Sequence, residues 1–388
     1  MKIADKVVRV ADRIDAYLRR KVNAVKRTLD AAPVFGLALA GGPADIFSPY
    51  FFQVGDSQGD AVNAAFDAIF SAPKTELKEG DKLPAVEYVM QDGKQVKVAS
   101  EYTVVKKVAE GGMGRIYLVT DEKGSPWLAK DADFSGYDDA QVQEELLLRF
   151  KREIKVLRGI DNPHVVKIKA WEPKDLPTYY IMEPILGTDL GSVFEAGIKP
   201  GKGISVPKNA VRVILEVVTG LIAFQNAVPE GEDISHRDIK PENILLEIKG
   251  GTIIRAVLID FGIARLPGSK LTGIKQYRGT PGFTAPEILK ENESRLADQR
   301  SDIYALGAVL YWMLTGHEPF DLTNASVLQR FRTEPKAMLA ELKADCPRGV
   351  PKEVWEEIVF AAMAADPNER FVDYHEFKTF LEWFLSFD

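Results

Sequence analysis

One cysteine, Cys346, in 388 residues excludes an internal disulfide framework and any site built from several thiolates, and it suits a reducing compartment. Only four histidines are present, so metal chemistry falls to carboxylates. No run approaches the ~20 apolar residues that span a bilayer. Basic excess is also missing: the net charge is −7, which gives no global attraction to nucleic acid or to acidic membranes. The region before Ala38-Leu39-Ala40 imitates a leader, but about thirty residues carrying Asp5, Asp12, Asp15 and Asp30 precede it, whereas a secretory leader starts short and basic. A cytoplasmic location is therefore expected.

What remains is an ordinary globular balance, 46% hydrophobic and 28% charged, long enough for two or three folding units. Ile3, Val7, Val10, Ile14, Leu18, Val22, Val25 and Leu29 recur at steps of three and four, predicting one amphipathic helix over 2–29. Val62, Ala65, Phe66, Ile69 and Phe70 predict a second before Pro73. These residues form a helical N-terminal unit, 1–74, and 75–100 reads as a linker and a β-hairpin turning at Asp92-Gly93. From 101 onward, short strands flank a glycine-rich turn, a helix follows with Leu146, Phe150, Ile154 and Leu157 on one stripe, and the chain beyond Gly187 is mainly helical.

Glu110-Gly111-Gly112-Met113-Gly114 lies between two strand-like runs, where missing side chains let backbone N–H groups close over a polyphosphate. Alone, such a cluster reads as a plain hairpin turn. It gains meaning from Lys130, from His236-Arg237-Asp238-Ile239-Lys240-Pro241-Glu242-Asn243, from Asp260-Phe261-Gly262 and from Ala285-Pro286-Glu287, in that order. On these motifs the chain from about Tyr102 onward resembles the eukaryotic-like (Hanks-type) protein kinases, and Gly-Gly-Met-Gly with Asp-Phe-Gly-Ile-Ala-Arg resembles the bacterial serine/threonine branch.

The resemblance implies an α+β, bilobal protein-kinase-like fold over 101–388, with a small β-rich N-lobe to about 183, a larger mainly helical C-lobe from about 187, and the N-terminal extension added. It implies ATP and Mg2+, with Mn2+ as a substitute, and a protein substrate bearing a serine or threonine hydroxyl. Carried over position by position, Lys130 holds the α- and β-phosphates and Glu153 orients it, with Glu144 and Glu145 as rival partners. Asp260 and Asn243 are the magnesium ligands, Asp238 is the base and Lys240 the cation at the transferring phosphate. Ala109, Gly111, Gly112, Met113 and Gly114 cover the phosphates, Ala109 standing where the family has its first glycine. Met182, Glu183 and Ile185 form the hinge against adenine, with Glu183 and Ile185 offering backbone hydrogen bonds. Thr280 touches the catalytic aspartate and lysine. His236, Arg237, Glu287, Asp302 and Arg370 are structural, Glu287 pairing with Arg370.

Arg237 beside the base also suggests capture of a phosphate on the activation segment, with Thr272 favoured over Ser269 and Tyr277. The competing reading is a pseudokinase or nucleotide-sensing scaffold whose N-terminal unit mediates interactions. For the helix over 2–29 three roles stay open: packing on its own kinase domain, self-association, or lying on a membrane surface. No nucleic-acid partner is expected.

Overall fold

The computed structural model describes residues 76–91, 94–111, 114–134, 140–195, 203–228, 235–249, 252–261, 281–289 and 298–386. Both helices expected in the N-terminal unit lie outside these residues.

The first lobe is a closed barrel in the order β1-β2-β3-β4-β6-β5. Its strands are β1 (Lys82–Gln91), β2 (Lys94–Gly111), β3 (Gly114–Thr120), β4 (Pro126–Asp131), β5 (Ile168–Trp171) and β6 (Tyr179–Met182). Alternation explains which faces turn inward. Leu83 and Ala85 of β1, Tyr102 and Val104 of β2, and Tyr117 and Val119 of β3 are buried together in the barrel interior.

The sequence reading places a linker and a hairpin over 75–100, and the hairpin forms, its two strands continuing the sheet of the lobe. Strand β2 runs unbroken across position 100, and β1 pairs with it from Lys82↔Thr103 to Gln91↔Lys94. Through Val86↔Trp171 the same β1 closes the barrel on β5. The physical reason is continuity of pattern: the inward residues of β1 need a core, and the neighbouring sheet supplies it.

Helix α1 (Ala140–Leu157) crosses between the lobes, its expected stripe of Leu146, Phe150, Ile154 and Leu157 buried in the larger core. A short sheet, β7 (Gly187–Asp189), β8 (Ile244–Lys249) and β9 (Thr252–Leu258), lies below the barrel. At Gly187 a Cβ would stand 1.7 Å from the carbonyl oxygen of Leu246, so only glycine lets β7 approach β8 this closely.

The second lobe is built on α2 (Pro207–Ala227), α3 (Gln299–Thr315) and α4 (Tyr374–Leu385). Among the described residues α2 alone is long and apolar enough to cross a membrane. It instead packs against α4, β9 and α3, burying Val213, Val217, Leu221 and Phe224. Helix α3 starts on the side chain of Asp298, which accepts from the Arg300 N–H, and stops at Gly316 with φ 82°.

Candidate active site

Strand β4 delivers Lys130 to the cleft between the lobes. Its ammonium lies 3.0 Å from Glu153 Oε1 on α1 and 2.8 Å from Asp260 Oδ1, just past β9. Among the carboxylates weighed for this lysine, Glu153 is the one that pairs with it. Three elements from distant parts of the chain thus converge on one cation. Burial opposes the charge on Lys130, yet Asp260 and Glu153 outweigh it and hold its pKa well above the ordinary lysine value. A fourth member was not legible from the motifs: Tyr180, opposite Lys130 in the β4–β6 register, donates its hydroxyl to Glu153 Oε1 at 2.9 Å. Burial raises the pKa of that phenol well above its ordinary value, so it remains a donor.

The loop before β8 carries the second cluster. Lys240 Nζ donates to Asp238 Oδ2 at 3.1 Å, and Asn243 Nδ2 donates to the same oxygen at 3.1 Å and to the Asp238 carbonyl at 2.8 Å. The loop is held from beneath by Asp302 of α3, which accepts the backbone N–H groups of His236 (2.6 Å) and Arg237 (2.8 Å) and the Tyr374 hydroxyl (2.6 Å). Desolvation dominates these hydrogen bonds and pushes Asp302 up to about 6. His236 packs on Phe261, ring centroids 4.9 Å apart. Its Nδ1 accepts from the Asp238 N–H, and its Nε2 lies 3.2 Å from the Ile259 carbonyl. Those partners place the ring proton on Nε2 and make the ring a brace for the loop.

Arg237 and Asp260 have φ of 63° and 53°, the left-handed region that costs a non-glycine residue about 1–3 kcal/mol. Arg237 adjoins Asp238 in sequence, and Asp260 is itself a partner of Lys130. The Arg237 guanidinium contributes a hydrogen bond from Nε to Ser235 Oγ at 3.0 Å. A small cavity bordered by Asp238, Lys240, Phe283 and Thr284 opens against this loop.

The glycine-rich hairpin joins β2 to β3, pairing Ala109↔Ile116 and Gly111↔Gly114, with a register irregularity between Lys107 and Ala109. Gly114 has φ +143°, and a Cβ there would sit 2.2 Å from the Asp131 carbonyl; the return strand therefore requires glycine. Arg115, wholly buried, lies 3.6 Å from Asp131 and also pairs with Asp133. The register that sets Arg115 opposite Asp131 brings this cluster together, and motif reading does not show it. Gly112 and Met113 lie outside the described residues.

At the hinge, Met182 ends β6 and Ile185 is buried. The Glu183 N–H donates to the Lys167 carbonyl at 3.0 Å, so at Glu183 a ligand would meet the carbonyl. The Glu183 side chain binds Arg255 at 3.2 Å. Glu287 and Arg370 form a two-pronged pair at 2.7 Å in each arm. Ser269, Thr272, Tyr277 and Thr280 lie outside the described residues.

Among the described residues no group of three or more His, Cys, Asp or Glu side chains gathers to hold a metal unaided. Asp260, 38% exposed at its side chain, and Asn243 offer two hard oxygen donors. That donor set fits Mg2+, which keeps several waters and takes substrate phosphate oxygens as its remaining ligands.

A strand-built lobe, a helical lobe and a cleft in which one lysine bridges a helix glutamate and an aspartate past β9 define the bilobal kinase class. The chain belongs to the protein kinase family, the protein kinase domain model matching residues 102–388. It is similar to the serine/threonine-protein kinase PkaB of Streptomyces coelicolor, 33% identical over 280 residues, covering 71% of this chain and 61% of that protein. It is also similar to PrkC of Bacillus subtilis, 31% identical, covering 71% and 39% respectively. The chain thus spans less than two thirds of the length of these curated relatives. In fold it matches the PknI kinase domain of Mycobacterium tuberculosis, crystallised as a double mutant, with a TM-score of 0.51 and 21% identity over 80% of this chain and 100% of that one.

Proposed function

We propose that the chain is a serine/threonine protein kinase that transfers the γ-phosphoryl group of ATP, in the presence of Mg2+, to a protein hydroxyl. The observation that carries this reading is Lys130 bound at once to Glu153 and Asp260 across the cleft. In this reading Lys130 turns its ammonium to the α- and β-phosphates while Glu153, held by Tyr180, fixes its position. Asp260 and Asn243 supply the protein oxygens for Mg2+, whose charge stabilises the phosphate oxygens. The Glu183 carbonyl and the Ile185 N–H meet the adenine edge.

Asp238 orients the substrate hydroxyl and takes its proton as the new O–P bond forms and the bond to the β-phosphate bridging oxygen breaks. Lys240, 3.1 Å from Asp238, places a cation where equatorial charge develops. Autophosphorylation falls on the activation segment, at Thr272 before Ser269 or Tyr277.

The test is incubation of the protein with Mg-ATP and a generic basic protein, followed by mass spectrometry, beside Asp260→Asn. Label on the added protein and on a 262–280 peptide, both lost in the variant, supports the reading. Nucleotide binding with no transfer by the wild type would instead make it a pseudokinase.

A further inference from the structure

Helix α1 has one line of side chains that the fold leaves uncovered. Leu148, Lys151, Lys155 and Arg158 recur at steps of three, four and three, which stacks them along a single stripe running just past the helix end. All four are exposed, Leu148 to 49%. Beside the stripe runs a groove of about 420 Å³ with Ile154, Trp171 and Pro177 among its apolar lining. Its charged rim carries Lys151, Arg152, Lys155, Arg158 and Lys174 against a single carboxylate, Asp175. Arg158 lies over the Trp171 ring at 5.1 Å and Lys174 is paired with Glu172 at 2.5 Å. Lys151 and Lys155 project outward. An apolar lining with a cationic rim suits an acidic segment rich in large apolar side chains.

The same chain contains one. Residues 28–73 hold five aspartates and no lysine or arginine. Within them the stripe of Val62, Phe66, Ile69 and Phe70 lies among Asp56, Asp60 and Asp67. The basic helix over 2–29, with nine lysines and arginines against three aspartates, has the wrong sign for this groove. Reach is sufficient. Glu76 is pinned to Lys107 at 2.6 Å, and strand spacing along β2 and β1 puts Trp171 about 25 Å away. Phe66 stands ten residues before Glu76, a span of up to about 34 Å when extended, which exceeds that distance.

We propose that residues 56–70 dock in this groove within the same molecule, with Phe66 on its apolar lining and Asp60 and Asp67 against Lys151 and Lys155. Helix α1 carries Glu153 on its inner side, so the docked segment braces from outside the helix whose glutamate engages Lys130. The N-terminal unit thereby gains a contact with the kinase domain that does not depend on nucleotide.

Hydrogen exchange on the full chain tests this. Asp60→Lys with Asp67→Lys, and separately Lys151→Glu with Lys155→Glu, each speed exchange of residues 148–158 and 56–70 by about tenfold. The fourfold exchange of charges restores wild-type protection. Unchanged exchange in either pair of substitutions, or no recovery in the fourfold variant, overturns the proposal. So does wild-type protection that disappears on dilution, which would assign the groove to a second copy.

Discussion

Two buried ion pairs divide this molecule between chemistry and scaffold. Arg370 and Glu287, with side chains 0% and 6% exposed, both belong to the helical lobe. Their pair is saturated: Arg370 also donates to the carbonyls of Ala364 (2.7 Å) and Arg300 (2.8 Å), and Glu287 accepts from Ser301 (2.7 Å). Lys130, Glu153 and Asp260 instead join the barrel, the crossing helix and the chain beyond β9, and Asp260 opens to the cleft. The same chemistry serves two ends. Where every proton and lone pair is matched within one lobe, the pair is a rivet; where the partners come from three elements and one faces solvent, the pair can be shared with a ligand.

Substitutions separate the two. The largest effect is expected for Asp238→Asn, lowering kcat by about 10²- to 10⁴-fold with little change in thermal unfolding. Steady-state phosphate transfer and a melting curve measure both. Arg370→Met should do the reverse, removing about 3–5 kcal/mol of stability by stranding Glu287, read as a lowered denaturant midpoint. Glu153→Gln sits between them: Lys130 keeps Asp260, so stability falls by about 1 kcal/mol while transfer drops and the KM for ATP rises. If that variant were as unstable as Arg370→Met, the contrast between the two centres would fail.

A smaller effect comes from pH. Asp302 is raised from 3.8 to about 6 by burial, so between those values the native state binds more protons than the unfolded chain, and stability falls as pH rises through the window. Denaturation of wild type and Asp302→Asn across that range should show the wild type losing ground against the variant as pH rises, whatever the variant's absolute stability. The smallest expected change is Ala109→Gly, which shifts the KM for ATP by less than about threefold, since Ala109 occupies a strand position any residue adopts.

The groups proposed to react are legible in the sequence because phosphate chemistry asks for particular side chains at fixed local spacings: Asp238, Lys240 and Asn243 lie within six residues of one another. Glu153 was readable too, from its Phe150-Lys151-Arg152-Glu153 context on the helix that follows Lys130. Tyr180 and Tyr374 were not. Their roles depend on strand register and on helix packing between positions 27 and 72 residues apart, and a tyrosine in an apolar run reads as core. The membership of β1 in the barrel escaped for a related reason: its alternation marks a strand but not which distant strand, β5, it meets.

That closure has a consequence for partners. Only one pair, Val86↔Trp171, joins β1 to β5, so the seam takes that point of the sheet border out of reach of strand addition by a peptide or a second copy. Splitting β1 from β5, for instance with a proline at Val86, would expose fresh borders and turn this lobe into a template for aggregation.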